Sequence, residues 1–415
     1  MSKFRFLHAA DIHLDSPMHG LEADPDAPAR VLREASREAF RNLIETAIRE
    51  QVSFVLIAGD LYDGDWQDYR TGLFFIEQVA TLADAGIPLV MIRGNHDAQS
   101  VITRHLRLPS RITLLPYDRC ERVVLEEPGV AIHGQSFARP AVTEDLSANY
   151  PAPIPGLFNI GLLHTSLNGR LGHDNYAPTT ETALIAKGYD YWALGHVHAR
   201  EIVHEDPWVV YPGNLQGRRI RESGAKGATL VTVRDGRVCG LEHRPLDTVR
   251  WCPIVIQSAG ESGLDGIMAR VGEAFAAALQ AAQDRPIAAR VILSGATHLH
   301  GELLGRPDHV RESVIAEGRQ HGADAVWVES VRVDTEPEDD IDGLDKRPDV
   351  VGRLVKAFDE LIAGSGDQLL GDYAGSLKRH LAGIDLPPEH PLRGGGAELL
   401  QRARALVLAR LAGDT

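Results

Sequence analysis

The chain has 415 residues, of which 44% are apolar, and its formal net charge is −15. This length is more than one domain usually needs, so we expect two or three domains with a sizeable core. The acidic charge argues against a surface coated with basic residues, although a local basic region beside bound cations would still accept a polyanion. No stretch approaches the roughly 18 apolar residues of a membrane span, and the N-terminus shows no signal-peptide pattern, which predicts a cytoplasmic protein without membrane contact.

Apolar runs and helical patterns alternate along the first half of the chain. The run FRFLHAAD predicts a buried strand that ends at Asp11, and apolar residues at helical spacing follow between Val31 and Ile48. The runs VSFVLIAGD and IPLVMIRGNHD predict further strands, with a helical stretch from Phe74 to Ala85 between them. Later come FNIGLLH and YDYWALGHVH. This alternation with continuous apolar strands predicts an α/β fold whose sheets are covered by helices.

Each of these predicted strands finishes in polar residues. In α/β sheets, ligands collect beyond the carboxyl ends of the strands. The polar residues at these ends are Asp11, His13, Asp60, Asp63, Asn95, His96, Asp97, His164, His196 and His198. A mixed set of carboxylate, amide and imidazole ligands suits Mn²⁺, Fe²⁺ or Zn²⁺. Polar residues after so many separate apolar strands therefore predict a metal centre.

The motifs DIH, GDLYD, RGNHD, LLHTS and GHVH occur in this order and resemble the binuclear metallophosphoesterase signature. Their order and spacing are similar to those of the nuclease subunit of bacterial and archaeal double-strand-break repair complexes, the SbcD type. The later stretch VVYPGNLQGRRIRESGAKG resembles the YhaO-like branch of this family of DNA repair nucleases. The resemblance covers residues 1–250 and implies a four-layer α/β/β/α metallophosphoesterase core, whereas the sequence pattern alone indicates only the α/β class.

The resemblance also implies which residues bind two divalent metal ions, for which we expect Mn²⁺. Asp11, His13 and His198 would hold one ion, Asn95, His164 and His196 would hold the other, and Asp60 would bridge them. Chemistry gives an independent reason for a bridging carboxylate, because its two oxygens can span ions about 3.5–4 Å apart and a single imidazole nitrogen cannot. A bend after the strand would let His196 and His198 face different ions, since residues two apart share one face of a regular strand.

His96 and Asp97 are the predicted catalytic residues beside the ligand Asn95. Two divalent ions would neutralise the non-bridging phosphate oxygens and lower the pKa of a shared water, which is the expected nucleophile. In the SbcD-type family the histidine of this motif protonates the leaving group or stabilises the phosphorane, so we assign that role to His96, with Asp97 orienting its ring. Some members carry a histidine three residues after the bridging aspartate. Here that position is Asp63, whose carboxylate would repel phosphate and is expected to orient a ligand or cap the loop.

A basic segment, RRIRESGAKG, follows the last pair of histidines. Its Arg218, Arg219, Arg221 and Lys226 oppose only Glu222. A basic excess beside a metal site could hold a nucleic-acid backbone, because phosphate contacts supply most of the sequence-independent affinity. The three arginines are therefore candidate substrate-binding residues. A solvated hairpin surface or a partner contact is an alternative of equal weight.

The character of the sequence changes beyond residue 250. We expect a nuclease domain over residues 1–250, a small α/β capping domain over residues 251–334, and an acidic linker with a helical C-terminal tail over residues 335–415. Helical patterns lie at 350–362, 369–381 and 398–411. A terminal helical pair could dock on an SMC-like ABC ATPase subunit, as in the family's nuclease subunits, or pack back on the capping domain. A homodimer is also left open.

Taken together, these patterns and the resemblance predict a Mn²⁺-dependent DNA phosphodiesterase of DNA repair. We expect it to act as an exonuclease, and additional endonuclease activity is left open. Two rival classes stay open. A phosphoesterase acting on a small phosphate ester or a cyclic nucleotide would use the same metal centre. A non-catalytic subunit would bind DNA ends without cutting them. The complete ligand set argues against the non-catalytic class, and the cap and the arginine segment favour a polymer substrate over a small ester.

Overall fold

The computed structural model of the chain describes residues 3–18, 29–63, 69–99, 107–167, 176–338 and 348–364, together with 400, 401, 403, 404, 407 and 408. The chain divides into two compact units. The first comprises Met1–Cys252 with Leu279–Ala288, and the second comprises Pro253–Ala278 with Ala289–Thr415. In the described parts of the chain, no helix is both long and apolar enough to cross a bilayer.

The first unit is built from two six-stranded sheets with helices on their outer faces. Its strands are β1 (Lys3–Ala9), β2 (Phe54–Ala58), β3 (Leu89–Ile92), β4 (Ile112–Leu114), β5 (Glu121–Leu125), β6 (Val130–Gly134), β7 (Phe158–His164), β8 (Tyr191–Gly195), β9 (Glu201–Glu205), β10 (Trp208–Tyr211), β11 (Gly227–Arg234) and β12 (Arg237–Pro245). Its α-helices are α1 (Ala29–Arg49), α2 (Tyr69–Asp84) and α3 (Glu181–Ala186), and 3₁₀ turns lie at Asp97–Gln99, Leu146–Asn149 and Ile220–Glu222.

Both sheets have a parallel centre with antiparallel edges. The first sheet has the order β12-β11-β1-β2-β3-β4, with β1 to β4 parallel and β11 and β12 antiparallel to their neighbours. The second has the order β5-β6-β7-β8-β10-β9, and here β6, β7, β8 and β10 are parallel. The strands that precede the predicted ligand residues all lie in these parallel centres. Their carboxyl ends therefore share one edge in each sheet.

The two sheets pack face to face across an apolar core. The rings of Phe6 and Phe54, from neighbouring strands of the first sheet, stack with centroids 4.8 Å apart. Phe6 also meets Tyr191 of the second sheet edge to face, with centroids 5.3 Å apart. All five residues of the strand Phe54–Ala58 are buried, because a strand of this kind is covered on both faces. This explains why its sequence is continuously apolar.

Helices cover the outer face of each sheet. Phe40 and Leu43 of α1 and Phe75 of α2 pack into the core on the outer side of the first sheet. On the second sheet, Leu184 of the six-residue α3 packs near Trp192, whose indole N–H donates to the Leu184 carbonyl at 3.1 Å. The predicted α/β class with a four-layer α/β/β/α core is confirmed, with a thin helical layer on the second sheet.

Main-chain hydrogen bonds join the loops that follow β1 and β2. The N–H of Ile12 donates to the Asp60 carbonyl at 2.8 Å, and the N–H of Leu14 donates to the Leu61 carbonyl at 2.9 Å. These bonds extend the pairing of the two strands into the loops beyond them. Two loops that carry predicted ligands are therefore held side by side by their backbones.

The second unit contains a three-stranded sheet with the order β13-β14-β15 and several helices. Its elements are β13 (Arg250–Gln257), α4 (Leu264–Ala281), β14 (Ile287–Thr297), α5 (His300–Gly305), α6 (Pro307–Arg319), β15 (Val326–Pro337) and α7 (Val350–Gly364). The first residues of β13, the last residues of α4 and the first residues of β14 belong to the first unit. Helix α7 coincides with the pattern at 350–362. The pattern at 369–381 and most of that at 398–411 lie outside the described residues.

Candidate metal centre

The predicted ligand residues lie at the carboxyl ends of parallel strands from both sheets. Asp11 and His13 follow β1, Asp60 follows β2, Asn95 follows β3, His164 ends β7, and His196 and His198 follow β8. Because parallel strands end at one edge of a sheet, their terminal loops can contribute to a common site.

Carboxylates and imidazoles from these loops form three overlapping groups. The groups are Asp11 with His13 and His198, Asp11 with Asp60 and His164, and His13 with Asp60 and His96. Within each group the ligand atoms all lie within 4.8 Å of one another. Asp11 and Asp60 each belong to two groups, so the two carboxylates connect histidines that come from separate strands.

The two other predicted ligands contact the same cluster. Oδ1 of Asn95 lies 2.9 Å from Nε2 of His164. The backbone N–H of His196 donates to the Asp11 carboxylate at 3.0 Å. The ring of His196 also lies edge-on to that of His164, with centroids 5.2 Å apart. The structure therefore brings all seven predicted ligand residues together.

Four of these residues have a left-handed backbone conformation. The φ angle is 51° at Asp11, 47° at His13, 52° at Asp60 and 102° at His196. Positive φ at a residue other than glycine costs about 1–3 kcal/mol, and such strain concentrates at functional sites. At His196 the strained backbone directly follows β8, which is the bend expected to separate His196 from His198.

Two glycines make room for the buried side of the cluster. Gly59 has a φ of 92°, and a Cβ atom there would lie 2.5 Å from Nδ1 of His164. A Cβ atom on Gly94 would collide with the Asp60 carboxylate. Because both spaces are filled by predicted ligands, only glycine fits at these two positions.

The imidazole of His164 presents a nitrogen lone pair to the site. Its Nδ1 lies 2.9 Å from the Ala58 carbonyl oxygen, which can only accept, so Nδ1 carries the hydrogen. Nε2 faces Asn95 Oδ1 at 2.9 Å and Asp60 Oδ2 at 3.5 Å. Burial lowers the pKa of His164 to about 3, which keeps the ring neutral. A neutral nitrogen that faces two oxygens fits ligation of a cation.

A carboxylate fixes the imidazole of His198 in the same way. Nδ1 of His198 lies 2.9 Å from Oε1 of Glu222. Burial opposes ionisation of Glu222, but the hydrogen bond and charge of His198 outweigh it and lower its pKa, so the carboxylate accepts from Nδ1. In the neutral ring, which donates from Nδ1, Nε2 of His198 lacks a hydrogen. This atom lies 3.2 Å from Nε2 of His13. Burial lowers the pKa of His13 as well. Two imidazole nitrogens that face each other fit ligation of one ion.

Two buried carboxylates complete the donor set. Asp11 and Asp60 are 0% and 1% exposed. Burial, followed by the charge of Asp60, raises the pKa of Asp11 well above its ordinary value, and burial raises the pKa of Asp60 to about 6. An ionised carboxylate is costly to bury unless an opposite charge lies close to it. Divalent cations between these acids and the neutral imidazoles would supply that charge, so the residues fit a metal centre.

Comparison with known proteins agrees with this geometry. Residues 4–200 match the family profile described as calcineurin-like phosphoesterase, and residues 251–336 match the profile described as metallophosphoesterase YhaO, middle domain. An uncharacterized metallophosphoesterase of Bacillus subtilis, YhaO, is 33% identical over 71% of this chain and 72% of its own length. This chain belongs to the calcineurin-like metallophosphoesterase family. The resemblance proposed from the motifs is thereby confirmed.

More distant relatives of this metallophosphoesterase are DNA double-strand break repair proteins named Mre11. The protein from Aeropyrum pernix is 28% identical over 56% of this chain and 58% of its own length. The one from Haloferax volcanii is 26% identical over 65% of this chain and 58% of its own length. The chain thus spans less than two thirds of these two relatives. The metallophosphoesterase family consists of hydrolases with a dinuclear metal centre, which agrees with the clustered ligand residues.

In this metallophosphoesterase, the ring of His96 is held by Asp63. The prediction that Asp97 orients this ring is wrong. Nδ1 of His96 lies 3.1 Å from Oδ1 of Asp63. The Asp97 carboxylate instead accepts from the backbone N–H of Leu61 at 3.1 Å and of Tyr62 at 2.9 Å. Asp97 begins a 3₁₀ turn that directs its side chain back to the loop after β2. It therefore supports the loop that carries Asp60 and Asp63.

Asp63 lies at the centre of a polar network. Its Oδ2 accepts from Ser16 Oγ at 2.7 Å and lies 3.2 Å from a guanidinium nitrogen of Arg218. Its Oδ1 lies 3.5 Å from Nδ1 of His13, in addition to its contact with His96. Burial raises the pKa of Asp63, but its contacts with these histidines and the charge of Arg218 outweigh burial and lower it. The network matches the expectation that Asp63 orients neighbouring side chains.

The three arginines of the basic segment differ in their surroundings. The side chain of Arg218 is 15% exposed and faces Asp63, whereas that of Arg219 is 52% exposed. Arg221 is also exposed. Only the last two are therefore placed on the surface, as a contact with a substrate backbone would require.

Glu222 is a site residue that the sequence reasoning missed. The sequence analysis named Glu222 only as the single acidic residue of the basic segment. In the structure it is 5% exposed and contacts His198. The available signal was the single carboxylate among four cations, 24 positions after His198. Such an isolated charge is a candidate partner for a neighbouring site residue.

Proposed function

We propose that this metallophosphoesterase is a Mn²⁺-dependent nuclease that hydrolyses DNA phosphodiester bonds. In the proposed centre, Asp11, His13 and His198 would hold one ion, Asn95, His164 and His196 would hold the other, and Asp60 would serve both. The observation that carries the proposal is the convergence of these seven side chains, with neutral imidazole nitrogens turned towards buried carboxylates. The relatives named as DNA double-strand break repair proteins support DNA as the substrate.

The protein's own groups would position the phosphate and transfer a proton. When bound, two divalent ions would neutralise phosphate oxygens and lower the pKa of water. His96 is the proposed proton donor to the leaving oxygen, because its side chain is 38% exposed and Asp63 holds Nδ1, which leaves Nε2 to donate. The hydrogen bond that Nδ1 of His96 donates to Asp63 raises the pKa of His96, which favours the protonated ring. Asp97 would act through the loop that it supports.

The exposed part of the basic segment is the proposed contact for the DNA backbone. Arg219 and Arg221 are exposed, and the 3₁₀ turn Ile220–Glu222 that links them contains the carboxylate bonded to His198. Two cations therefore lie within three residues of the carboxylate that contacts His198. Cations in such a position would bind phosphates without reading the base sequence. Arg218, by contrast, would contribute by holding Asp63.

We further propose that the chain acts in the cytoplasm, in DNA repair, with an SMC-like ABC ATPase as its partner. The support is the motif order of the SbcD type and the similarity to the Mre11 relatives, which are named DNA double-strand break repair proteins. Helix α7 in the described part of the tail is amphipathic, because Val355 is buried while Arg353 and Lys356 are exposed. The exposed side of this helix is the proposed docking site for the partner. We also propose that residues 251–334 act as a capping domain and that the chain forms a homodimer.

One observation favours a second candidate, hydrolysis of a small phosphate ester or cyclic nucleotide. Asp63 occupies the position at which some other members carry a substrate-facing histidine. Its carboxylate lies beside His96. A carboxylate there repels a polyanion more than a small ester, although the charge of Arg218 at 3.2 Å offsets part of the repulsion.

Nuclease activity on end-labelled linear duplex DNA, with and without Mn²⁺, tests the proposal. We expect Mn²⁺-dependent cleavage that EDTA abolishes, and we expect DNA to be a better substrate than p-nitrophenyl phosphates or cyclic nucleotides. The matched control is the Asp60→Asn variant, which keeps the size of the bridging side chain and removes its charge. If the protein hydrolysed a small ester efficiently but left the DNA uncut, this result would select the second candidate. DNA binding without cleavage of any ester would select the non-catalytic class.

A further inference from the structure

The basic segment, residues 218–227, makes three contacts with the metal centre and the Asp63 network beside it. The Glu222 carboxylate lies 2.9 Å from Nδ1 of His198. The ammonium group of Lys226 donates to the His198 carbonyl oxygen at 2.9 Å. Arg218 lies 3.2 Å from Asp63. The segment therefore contacts both the side chain and the backbone of one predicted ligand.

The Glu222 carboxylate is itself held in place by several donors. Its Oε2 accepts from Nδ2 of Asn214 at 2.8 Å and from the backbone N–H of Arg218 at 2.8 Å. Its Oε1 lies 3.4 Å from Nε of Arg219 as well as contacting His198. A buried carboxylate with this many donors has little freedom to rotate. It can therefore fix the orientation of the imidazole to which it is bonded.

The backbone under Glu222 is also fixed. Trp251 is 1% exposed, and its indole N–H donates to the Gly217 carbonyl at 2.9 Å. A Cβ atom on Gly217 would lie 2.7 Å from the Glu222 carbonyl oxygen, so the chain packs closely against itself here. The N–H of Gly224 donates to the Trp251 carbonyl at 3.2 Å. The turn that carries Glu222 thus rests on a buried tryptophan.

We propose that Glu222 is a positioning residue of the metal centre, which holds His198 with Nε2 towards Asp11 and His13 and so raises the affinity of that metal position. This inference rests on the metal binding in the proposed function but does not require that DNA is the substrate. A hydrogen-bonded carboxylate fixes the tautomer and orientation of a ligating histidine, and loss of such a partner typically costs about 10–100-fold in metal affinity. No corresponding side-chain carboxylate holds His164, whose Nδ1 donates to the Ala58 carbonyl. The effect of Glu222 should therefore fall on one metal position.

Titration of the full-length, metal-free protein with Mn²⁺ by calorimetry tests the inference. For the wild type we expect two equivalents of Mn²⁺. In the Glu222→Gln variant one equivalent should bind about 10–100-fold more weakly, while the other changes less than about threefold. Glu222→Asp keeps the charge but shortens the side chain, and it should weaken the same equivalent. Glu205→Gln, at an exposed position, is the matched control and should bind both equivalents as the wild type does.

Several outcomes would overturn the inference. Wild-type affinity in Glu222→Gln would show that the contact does not support metal binding. Wild-type affinity in Glu222→Asp would show that charge alone matters and that positioning does not. Equal weakening of both equivalents, with a lowered melting temperature of the metal-free variant, would indicate a general folding defect. Absence of Mn²⁺ binding by the wild type would remove the inference and the proposed centre together, whereas Mn²⁺ binding without DNA cleavage would remove only the proposed nuclease function.

Discussion

The two sides of the metal centre hold their histidines by different means. On the side of His164, the imidazole is fully buried and its Nδ1 is fixed by a backbone carbonyl, with Gly59 packed against the ring. On the side of His198, the imidazole is 14% exposed and is fixed by the Glu222 carboxylate. A partner from the backbone cannot be removed by substitution, but a side-chain partner can. The orientation of His164 is therefore fixed by the backbone, on what we call the rigid side. The orientation of His198 can be changed by substituting Glu222.

Removing the carboxylate between the two sides should have the largest effect. Asp60 lies 3.5 Å from His164 and 4.0 Å from His13, so it contacts both. Asp60→Ala should lower phosphodiester hydrolysis below detection and weaken both Mn²⁺ equivalents, measured by calorimetry. Asp118→Ala, which removes a carboxylate that is 57% exposed, is the control. If only one equivalent weakened, the two sides would be independent and the bridge assignment would be wrong.

Loss of the proposed proton donor should spare metal binding. His96→Ala should retain both Mn²⁺ equivalents and lower kcat about 10²–10⁴-fold, the usual contribution of general acid catalysis. Measurement of kcat and of Mn²⁺ affinity on the same preparation separates the two effects. Because His96 also lies within 4.8 Å of ligand atoms of His13 and Asp60, loss of a metal equivalent in this variant would instead make His96 a ligand.

Asp63 and Asp97 should differ although they are chemically alike. Asp63→Asn should lower kcat about tenfold by loosening His96, with little change in stability. Asp97→Asn should instead lower the melting temperature, because its carboxylate accepts from the backbone N–H groups of Leu61 and Tyr62. Thermal unfolding and steady-state kinetics on both variants distinguish these roles. A greater loss of kcat in a fully stable Asp97→Asn protein would return the orienting role to Asp97.

The rigid side should respond to added volume by losing stability. Gly59→Ala should lower the free energy of unfolding of the metal-free protein by about 1–3 kcal/mol, because φ is 92° and the new Cβ would lie 2.5 Å from His164. Gly236→Ala is the control, since its φ is 75° but a Cβ there would meet nothing within 4 Å. Urea unfolding of both variants separates backbone strain from the collision. If Gly59→Ala and Gly236→Ala lowered the free energy of unfolding equally, the ring of His164 would be free to move away from the added Cβ atom.

The exposed arginines should produce the smallest effect. Arg219→Gln and Arg221→Gln should each reduce the slope of log affinity for duplex DNA against log salt by about 1, without altering Mn²⁺ affinity. Fluorescence anisotropy over a salt series measures this slope, and the exposed Arg119, which is 67% exposed, offers Arg119→Gln as a control. An unchanged slope would mean that the basic segment supports the metal centre and does not bind the DNA backbone.

The α/β class and the composition of the cluster could be predicted because both depend on local patterns, whereas the four-layer packing followed only from the family resemblance. Apolar strands that end in Asp60 or His164 are contiguous in the sequence, and parallel strands bring such ends together. The contact between Asp63 and Arg218 could not be predicted, because it joins loops that are far apart in the chain and depends on side-chain direction. Glu222 was missed for the same reason. The direction of Asp97 is likewise set by the 3₁₀ turn in which it lies, and its motif does not encode that turn.

The paired loops after β1 and β2 have a consequence for metal choice. Because the bonds from Ile12 to Asp60 and from Leu14 to Leu61 involve only the main chain, the offset between these loops is independent of which side chains they carry. Exchanging a predicted ligand in either loop would then alter the hardness of the donors while the spacing of the two loops stayed constant. Descendants of this scaffold could therefore change their metal preference without rebuilding the framework that spaces the ligand residues.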